Sequence, residues 1–328
     1  MSIFLENPNE EKEGTPLKVM LFTHNDLDGV GCAIVGKVTF GDSCKVEYCG
    51  YNEIDEKVKN FLLSEDYENY DAVFITDISV NKEVADMIQE SFADKVQLID
   101  HHATAEWLND YGWASVNVYE KALPGVVDSR EDRMSSGTSL FYHYLFDCGL
   151  IEEVDHGLTD LVEQIRRYDT WEWFNLYNQV LPKQLNDLLM LVGRYKFVER
   201  FVENPEAILK SSEQLLVDTE NKRVERYIKS RKDKITPIDA HGYHIGVVFA
   251  EQYHSELGNV LATENPEYDF IAMVNFGSNS ISFRGIKEDV HVGEFAQKMG
   301  GGGHPRAAGA KIDDAYAKGF IKVLFVEK

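Results

Sequence analysis

Three apolar runs in the first hundred residues end abruptly on acids and imidazoles, and nothing else in the chain constrains its fold as much. Lys18-Val19-Met20-Leu21-Phe22 leads through Thr23 into His24-Asn25-Asp26-Leu27-Asp28-Gly29. Ala72-Val73-Phe74-Ile75 leads into Asp77, and Lys95-Val96-Gln97-Leu98-Ile99 into Asp100-His101-His102. Short apolar runs of this kind suit buried strands. Polar groups at the end of a buried strand are costly unless they are paired or bind metal. Between the runs, residues 29–39, 54–63 and 82–92 carry helical spacing, with a further strand-like run at 45–51. Such alternation predicts an α/β domain with a mostly parallel, doubly wound sheet and helices on both faces. Sheets of this class bind ligands at the carboxyl ends of their strands, where the three polar clusters fall.

Helical patterns over 136–147 and 158–168 follow, and Asp169 comes directly after the second. Residues 197–231 are charged and broadly helical, with Pro237 marking the end of that stretch. From His241 the pattern changes: 243–249, 269–275 and 280–284 read as strands, the last two joined by a hairpin at Gly277-Ser278-Asn279. Residues 255–263 and 292–299 read as helices. The expected organisation is a loose tail over 1–16, a first α/β domain over 17–194, a helical linker over 195–237 and a smaller α/β domain over 238–328. Near its end, Gly300-Gly301-Gly302-Gly303 cannot be a helix interior, and it lets the backbone approach a ligand and aim N–H groups at an anion. His304 and Arg306 follow at once and, with Arg284, add donors for phosphate. Gly301, Gly302, Gly303, His304, Arg306 and Arg284 are therefore the candidate substrate-binding residues.

With 33 basic and 56 acidic residues the formal charge is −23, which repels long duplex nucleic acid. A short phosphate-bearing substrate held by a few local cations stays compatible with it. No run of 18 apolar residues and no charged-then-apolar leader occurs, so neither a membrane partner nor export is expected. Cys32, Cys44, Cys49 and Cys148 lack Cys-x-x-Cys spacing and read as free thiols in a reducing cytoplasm. The isolated histidines and the four tryptophans, Trp107, Trp113, Trp171 and Trp173, read as packing or surface residues.

If residues 24–28 are extended, His24, Asp26 and Asp28 share one face. With Asp77, His101 and Asp169 they make four acids and two imidazoles, too many for a tetrahedral zinc, and without a thiolate. Mixed carboxylate and imidazole ligands suit manganese or a similar divalent ion, one carboxylate bridging two ions. Two metals about 3.5–4 Å apart serve in-line attack at phosphorus. Singly, each residue has a blander explanation: Asp77 as a cap or turn residue, Asp-x-Asp as a solvated turn, Asp169 as a helix end. Their conjunction at strand ends favours one shared metal site.

These motifs resemble the DHH phosphoesterase family, in the subgroup carrying a C-terminal DHHA1 domain, over residues 18–321. The first motif is His24-Asn25-Asp26-Leu27-Asp28-Gly29, the second Asp77, the third Asp100-His101-His102 and the fourth Asp169. Residues 300–309 with Arg284 look like the signature of the second domain. The resemblance implies a DHH catalytic domain over 17–194 and a DHHA1-like substrate-binding domain over 238–328. It implies two manganese ions, with magnesium or cobalt as substitutes. His24, Asp26 and Asp77 would hold one, Asp28, Asp77, His101 and Asp169 the other, and Asp77 would bridge. Asp100 would orient His101, as carboxylates do for metal-bound imidazole, and His102 would face the scissile phosphate or leaving oxygen. Asp77, Asp100 and His102 are thus the catalytic set. Many relatives place three residues between the first His and the first Asp, where only Asn25 stands here, and this shorter spacing resembles a branch of small-oligonucleotide nucleases.

The implied reaction is attack by a two-metal-activated hydroxide on a phosphodiester, with the second domain holding the terminal nucleotide across a cleft. The resemblance therefore implies a cytoplasmic, manganese-dependent oligoribonuclease that takes dinucleotides to pentamers down to mononucleotides, with a homodimer admissible. The alternatives are a phosphodiesterase of cyclic or linear dinucleotides and a 3′-phosphoadenosine 5′-phosphate phosphatase. A polyphosphatase and a non-catalytic nucleotide-binding protein are more distant.

Overall fold

The structure, a computed structural model, describes residues 17–325, so the expected 1–16 tail lies outside the described residues. The chain divides into two compact units, Met1–Val217 and Asp218–Lys328.

The first unit opens with β1 (Val19–Thr23), α1 (Leu27–Phe40), β2 (Cys44–Tyr48), α2 (Ile54–Leu62), β3 (Ala72–Thr76), α3 (Lys82–Ser91), β4 (Val96–Asp100) and β5 (Ala114–Val116). The strands form one sheet in the order β2-β1-β3-β4-β5, and every pairing is parallel. From β1 the chain steps to β2 on one side and then to β3 on the other. The switch point of this doubly wound sheet is therefore at the carboxyl ends of β1 and β3. Alternation along the strands builds the two faces. Leu21, Ala72 and Phe74 enter one core with α1, while Phe22, Val73 and Ile75 enter another with residues of α2 and α3. Both faces are covered, which is why β3 reads as an unbroken apolar run.

Five helices complete the unit: α4 (Gly137–Asp147), α5 (His156–Asp169), α6 (Glu172–Asn175), α7 (Leu181–Val192) and α8 (Arg194–Glu203). The stretch 197–231 is not one continuous connector. α8 buries Phe197, Val198 and Phe201 in the first core, an amphipathic stripe at helical spacing. Pro205 follows its end, and the chain resumes as α9 (Ser211–Lys232), whose Val217 is buried in the first unit's core and Ile228 in the second's.

The second unit continues with β6 (Thr236–Ala240), β7 (Tyr243–Phe249), α10 (His254–Glu264), β8 (Phe270–Asn275), β9 (Ser280–Arg284), α11 (Val292–Lys298), β10 (Gly302–Gly303), β11 (Ala307–Lys311) and α12 (Asp314–Phe325). Its sheet runs β10-β11-β9-β8-β7-β6, with β7 and β8 parallel and the other pairs antiparallel. The hairpin between β8 and β9 forms as expected, with Asn279 at φ 49°. Pro237 lies inside β6 rather than at a boundary. β6 is the edge strand, where a missing N–H is tolerated. Among the described residues no helix is long and apolar enough to cross a membrane.

Candidate metal centre

At the end of β1, Thr23 Oγ1 donates to the Gly29 carbonyl at 3.1 Å, and Thr76 Oγ1 donates to Thr23 Oγ1 at 3.0 Å. The β1–α1 turn is thereby pinned to the end of β3. A Cβ at Gly29 would lie 2.2 Å from the His24 carbonyl oxygen, so only glycine lets this turn close. Asp26 caps α1, accepting from the Gly29 N–H at 3.1 Å, as carboxylates do at helix starts. Its other oxygen lies 2.9 Å from His24 Nδ1. Burial pushes the Asp26 carboxyl up, but His24 and the Gly29 N–H together hold it below its ordinary value. Residues 24–28 do not present one extended face, because Asp28 sits in the first turn of α1 and joins His101 and Asp169, not His24.

Asp28 is buried and accepts the N–H groups of Gly137 at 2.6 Å and Thr138 at 3.0 Å. These are among the orphan donors of the α4 N-terminus, where a carboxylate is electrostatically favoured. Asp77 follows β3 with φ 58°, in the left-handed region, and its N–H donates to the Ile99 carbonyl at 3.1 Å. It is not a helix cap; Asn81 caps α3.

The side chains then converge. His101 Nε2 lies 3.3 Å from Asp77 Oδ1, 3.6 Å from Asp169 Oδ2 and 3.7 Å from Asp28 Oδ2. On the other flank His24 Nδ1 is 3.9 Å from Asp77 Oδ2. Ligand atoms of His24, Asp26 and Asp77 fall within 4.8 Å of one another, as do those of Asp28, His101 and Asp169. His101 Nε2 and Asp77 Oδ2 are buried without a hydrogen-bond partner. Burial, and then the charges of Asp28 and Asp26, push the Asp77 and Asp169 carboxyls well above their ordinary range. Four clustered acids cannot all ionise unless positive charge joins them. The donor set fits a hard-to-borderline divalent ion on either side of Asp77.

Asp100 ends β4 and is buried. Its Oδ1 accepts from the His101 backbone N–H at 2.8 Å and lies 2.7 Å from His102 Nδ1, while Ser79 Oγ donates to Oδ2. Asp100 thus reaches the ring of His102 rather than that of His101. The reason is local: β4 ends at Asp100 and the backbone is still extended at His102, so these two residues, i and i+2, share a face. The hydrogen bond that His102 donates to Asp100 raises the His102 pKa. Burial acts to raise the pKa of Asp100, but His102 and Ser79 hold it below its ordinary value.

Two features escaped the sequence reading. Tyr51 stands just beyond β2 with its ring 4.9 Å from that of His24 and 6.5 Å from that of His102, yet 63% exposed. Burial of its hydroxyl and the Asp77 and Asp26 charges push it up to about 12, so it stays a phenol. It occupies the fourth strand end of the same sheet edge, and the strand-end logic extended to β2 reaches it. The second feature is an ion network around Arg133 and Arg166, both 0% exposed. Arg166 donates to the Met134 carbonyl at 2.8 Å and to Glu163 and Glu172 at 2.9 Å, and Arg133 pairs with Glu163. It ties the segment entering α4 to α5, whose last residue is Asp169.

In the second unit, Arg284 on β9 is paired in register with Ala307 on β11. Its guanidinium donates to Ser255 Oγ at 3.0 Å and the Phe283 carbonyl at 2.9 Å. His304 and Arg306 are exposed in the turn between β10 and β11, so these three cluster at one end of that sheet. The glycine run is part of a hairpin rather than an open loop. A Cβ at Gly301 would lie 2.0 Å from the Gly309 carbonyl oxygen, and one at Gly303 2.6 Å from that of Ala307. Those two glycines are demanded by strand packing, whereas Gly302 faces open space.

Comparison with known proteins adds the following. A family profile described as the DHHA1 domain matches residues 249–324. Oligoribonuclease NrnB of Bacillus subtilis (strain 168) is 38% identical over 312 residues, spanning 93% of this chain and 75% of that protein. A 3′,5′-cyclic-nucleotide phosphodiesterase of Helicobacter pylori is 23% identical over 356 residues, spanning 90% and 93%. Among solved structures, the pGpG-specific phosphodiesterase PggH from Vibrio cholerae superposes with a TM-score of 0.56 at 14% identity, covering 94% of this chain and 97% of that one. Exonuclease RecJ bound to manganese gives 0.53 at 15% identity, covering 93% and 88%. At these identities the last two share the fold.

Proposed function

The chain belongs to the DHH phosphoesterase family with a DHHA1 domain, hydrolases acting on phosphodiester bonds, and from that premise we propose a cytoplasmic, manganese-dependent oligoribonuclease that degrades dinucleotides to pentamers to mononucleotides. The observation that carries the reading is His101 Nε2. It is buried among oxygens of Asp77, Asp169 and Asp28 at 3.3, 3.6 and 3.7 Å, without a hydrogen-bond partner. His24, Asp26 and Asp77 would hold one divalent ion, and Asp28, Asp77, His101 and Asp169 a second. Such ions, when bound, supply Lewis acidity at phosphorus and lower the pKa of water beside it.

The chain's own residues do the rest. Asp100 binds His102 Nδ1 and keeps the ring protonated to higher pH, so Nε2 donates to a phosphate or leaving oxygen as charge develops there. Asp28 is anchored by the α4 N-terminus, which keeps its carboxylate from following the substrate. Tyr51 offers an exposed ring for a base beside His24 and His102. Arg284, His304 and Arg306 bind substrate phosphate through charge-assisted hydrogen bonds. The substrate class is supported by the Bacillus subtilis relative and by the −23 charge, which disfavours long strands. A second reading, hydrolysis of a cyclic nucleotide or a dinucleotide by the same residues, is favoured by the Helicobacter pylori relative.

The test is a labelled panel with manganese: a dinucleotide, a pentamer, a long strand, a cyclic dinucleotide, a 3′,5′-cyclic mononucleotide and a nucleoside 3′,5′-bisphosphate. Fast cleavage of the two short strands is expected, with the long strand nearly inert and Asp77→Ala inactive. Rapid turnover of the bisphosphate with inert dinucleotides overturns the oligoribonuclease reading.

A further inference from the structure

β2 is one of the two edge strands of the first sheet, and a groove of about 980 Å³ lies between it, the last turn of α1 and α8. Lys37, Lys45, Arg194 and Lys196 line it, with Tyr48 and Tyr195. Asp42 and Glu199 are its acids, so cations prevail locally in a chain of net charge −23. Among the described residues none of the four cations forms an ion pair. Lys37 Nζ donates to the Cys44 carbonyl at 3.3 Å, and the Arg194 guanidinium lies 4.5 Å from the Tyr48 ring centroid. Neither contact consumes the charge. Tyr195 is 81% exposed.

Arg194 and Lys196 also occupy the first turn of α8, which has no acidic residue and no side-chain cap. Cations there oppose the helix dipole, and an anion in the groove offsets that opposition. The groove runs along β2, whose carboxyl end lies beside the start of the metal centre. Tyr48 is in register with Thr23, the residue before His24, and from Tyr48 back to Cys44 the strand spans about 13 Å.

We propose that this groove binds the single-stranded RNA that extends beyond the nucleotides being cleaved. This rests on the oligoribonuclease reading and names where substrate length is sensed. Lys37, Lys45, Arg194 and Lys196 follow successive phosphates, and Tyr195 stacks on a base, the chemistry by which single strands are held without sequence preference. A dinucleotide is too short to enter. A long strand gains nothing past the groove and meets the acidic surface.

The experiment compares wild type with a Lys45→Glu/Lys196→Glu variant and with Tyr195→Ala, all exposed positions, on a dinucleotide and a pentamer at several salt concentrations. The dinucleotide kcat/KM is expected to be unchanged, which also reports correct folding. For the double variant, the pentamer kcat/KM should fall about tenfold through KM, and its log–log salt slope should shrink by roughly 1.4, from two lost single-strand contacts. An unchanged pentamer rate, or an equal loss on both substrates, overturns the groove while wild-type turnover leaves the oligoribonuclease reading standing. Wild type inert on both substrates overturns that reading and the groove with it.

Discussion

Replacing Gly137 by alanine adds one methyl group where the start of α4 meets the end of β3. The new carbon would lie 2.4 Å from Asp77 Cβ, 2.8 Å from Asp77 Cα and 3.1 Å from Asp28 Oδ2. Carbon contacts are comfortable at about 3.5–4.0 Å, so one side must retreat by roughly 1 Å. Neither side is soft. Asp77 is held by its N–H bond to Ile99 and by a left-handed backbone, and the first turn of α4 is held by its two N–H bonds to Asp28. Overpacking of this kind costs about 1–3 kcal/mol. Each N–H bond to the Asp28 carboxylate that opens adds about 1.5–3 kcal/mol. A roughly 1 Å displacement of reacting groups lowers turnover on the order of 100-fold. Gly112→Ala is the control, since a Cβ there meets nothing within 4 Å. The assays are thermal unfolding, manganese affinity by calorimetry and kcat/KM on a dinucleotide. A Gly137→Ala protein that melts and binds manganese like wild type refutes the argument that this contact sets the spacing of Asp28 and Asp77.

Tyr51→Ala is expected to raise the dinucleotide KM about tenfold, the scale of one lost base stack, with kcat little changed and Tyr51→Phe close to wild type. An equal KM rise for an analogue whose bases are replaced by abasic spacers would contradict stacking. Glu120 is pushed up to about 7 by burial, against the pull of Arg133. Its unfolded value is about 4.3, so the unfolded chain releases this proton first, and stability falls as pH rises from about 4 to about 7. Glu120→Gln should flatten that part of the Tm–pH curve, and an unaltered slope would count against it. Glu163 works oppositely. Its hydrogen bonds to Arg166 and Arg133 outweigh burial and hold it down to about 2, so its contribution is present above about pH 4.3 and lost as pH falls toward 2.

The parallel sheet was legible because β1, β3 and β4 are buried on both faces and leave uninterrupted apolar runs. The polar residues closing those runs then stood out. Position along the chain could not say which way each side chain turns. Asp28 looks like the partner of Asp26, but the helix begun by the Asp26 cap rotates it toward His101 and Asp169. Asp100 looks adjacent to His101, yet side chains alternate along extended backbone, which gives its carboxylate to His102. Tyr51 does not stand out in the sequence because its strand is an edge strand with a weaker apolar signal. Arg133, Glu163 and Arg166 were invisible as a network because their pairing depends on how α5 packs against the segment before α4. In sequence the glycine run suggests close approach of a ligand, whereas Gly301 and Gly303 answer to the neighbouring strand.

The left-handed backbone at Asp77 carries one more consequence. A side chain pays a conformational penalty there of order 1–3 kcal/mol, and the three acids around it, Asp26, Asp28 and Asp169, add mutual repulsion. Evolution toward mere robustness would favour glycine or asparagine at this position, so the aspartate marks a place where stability is surrendered for chemistry. It also links folding to metal supply: any ion bound only by the native state raises the melting temperature in step with its free concentration, and heat tolerance becomes a gauge of how full the centre is.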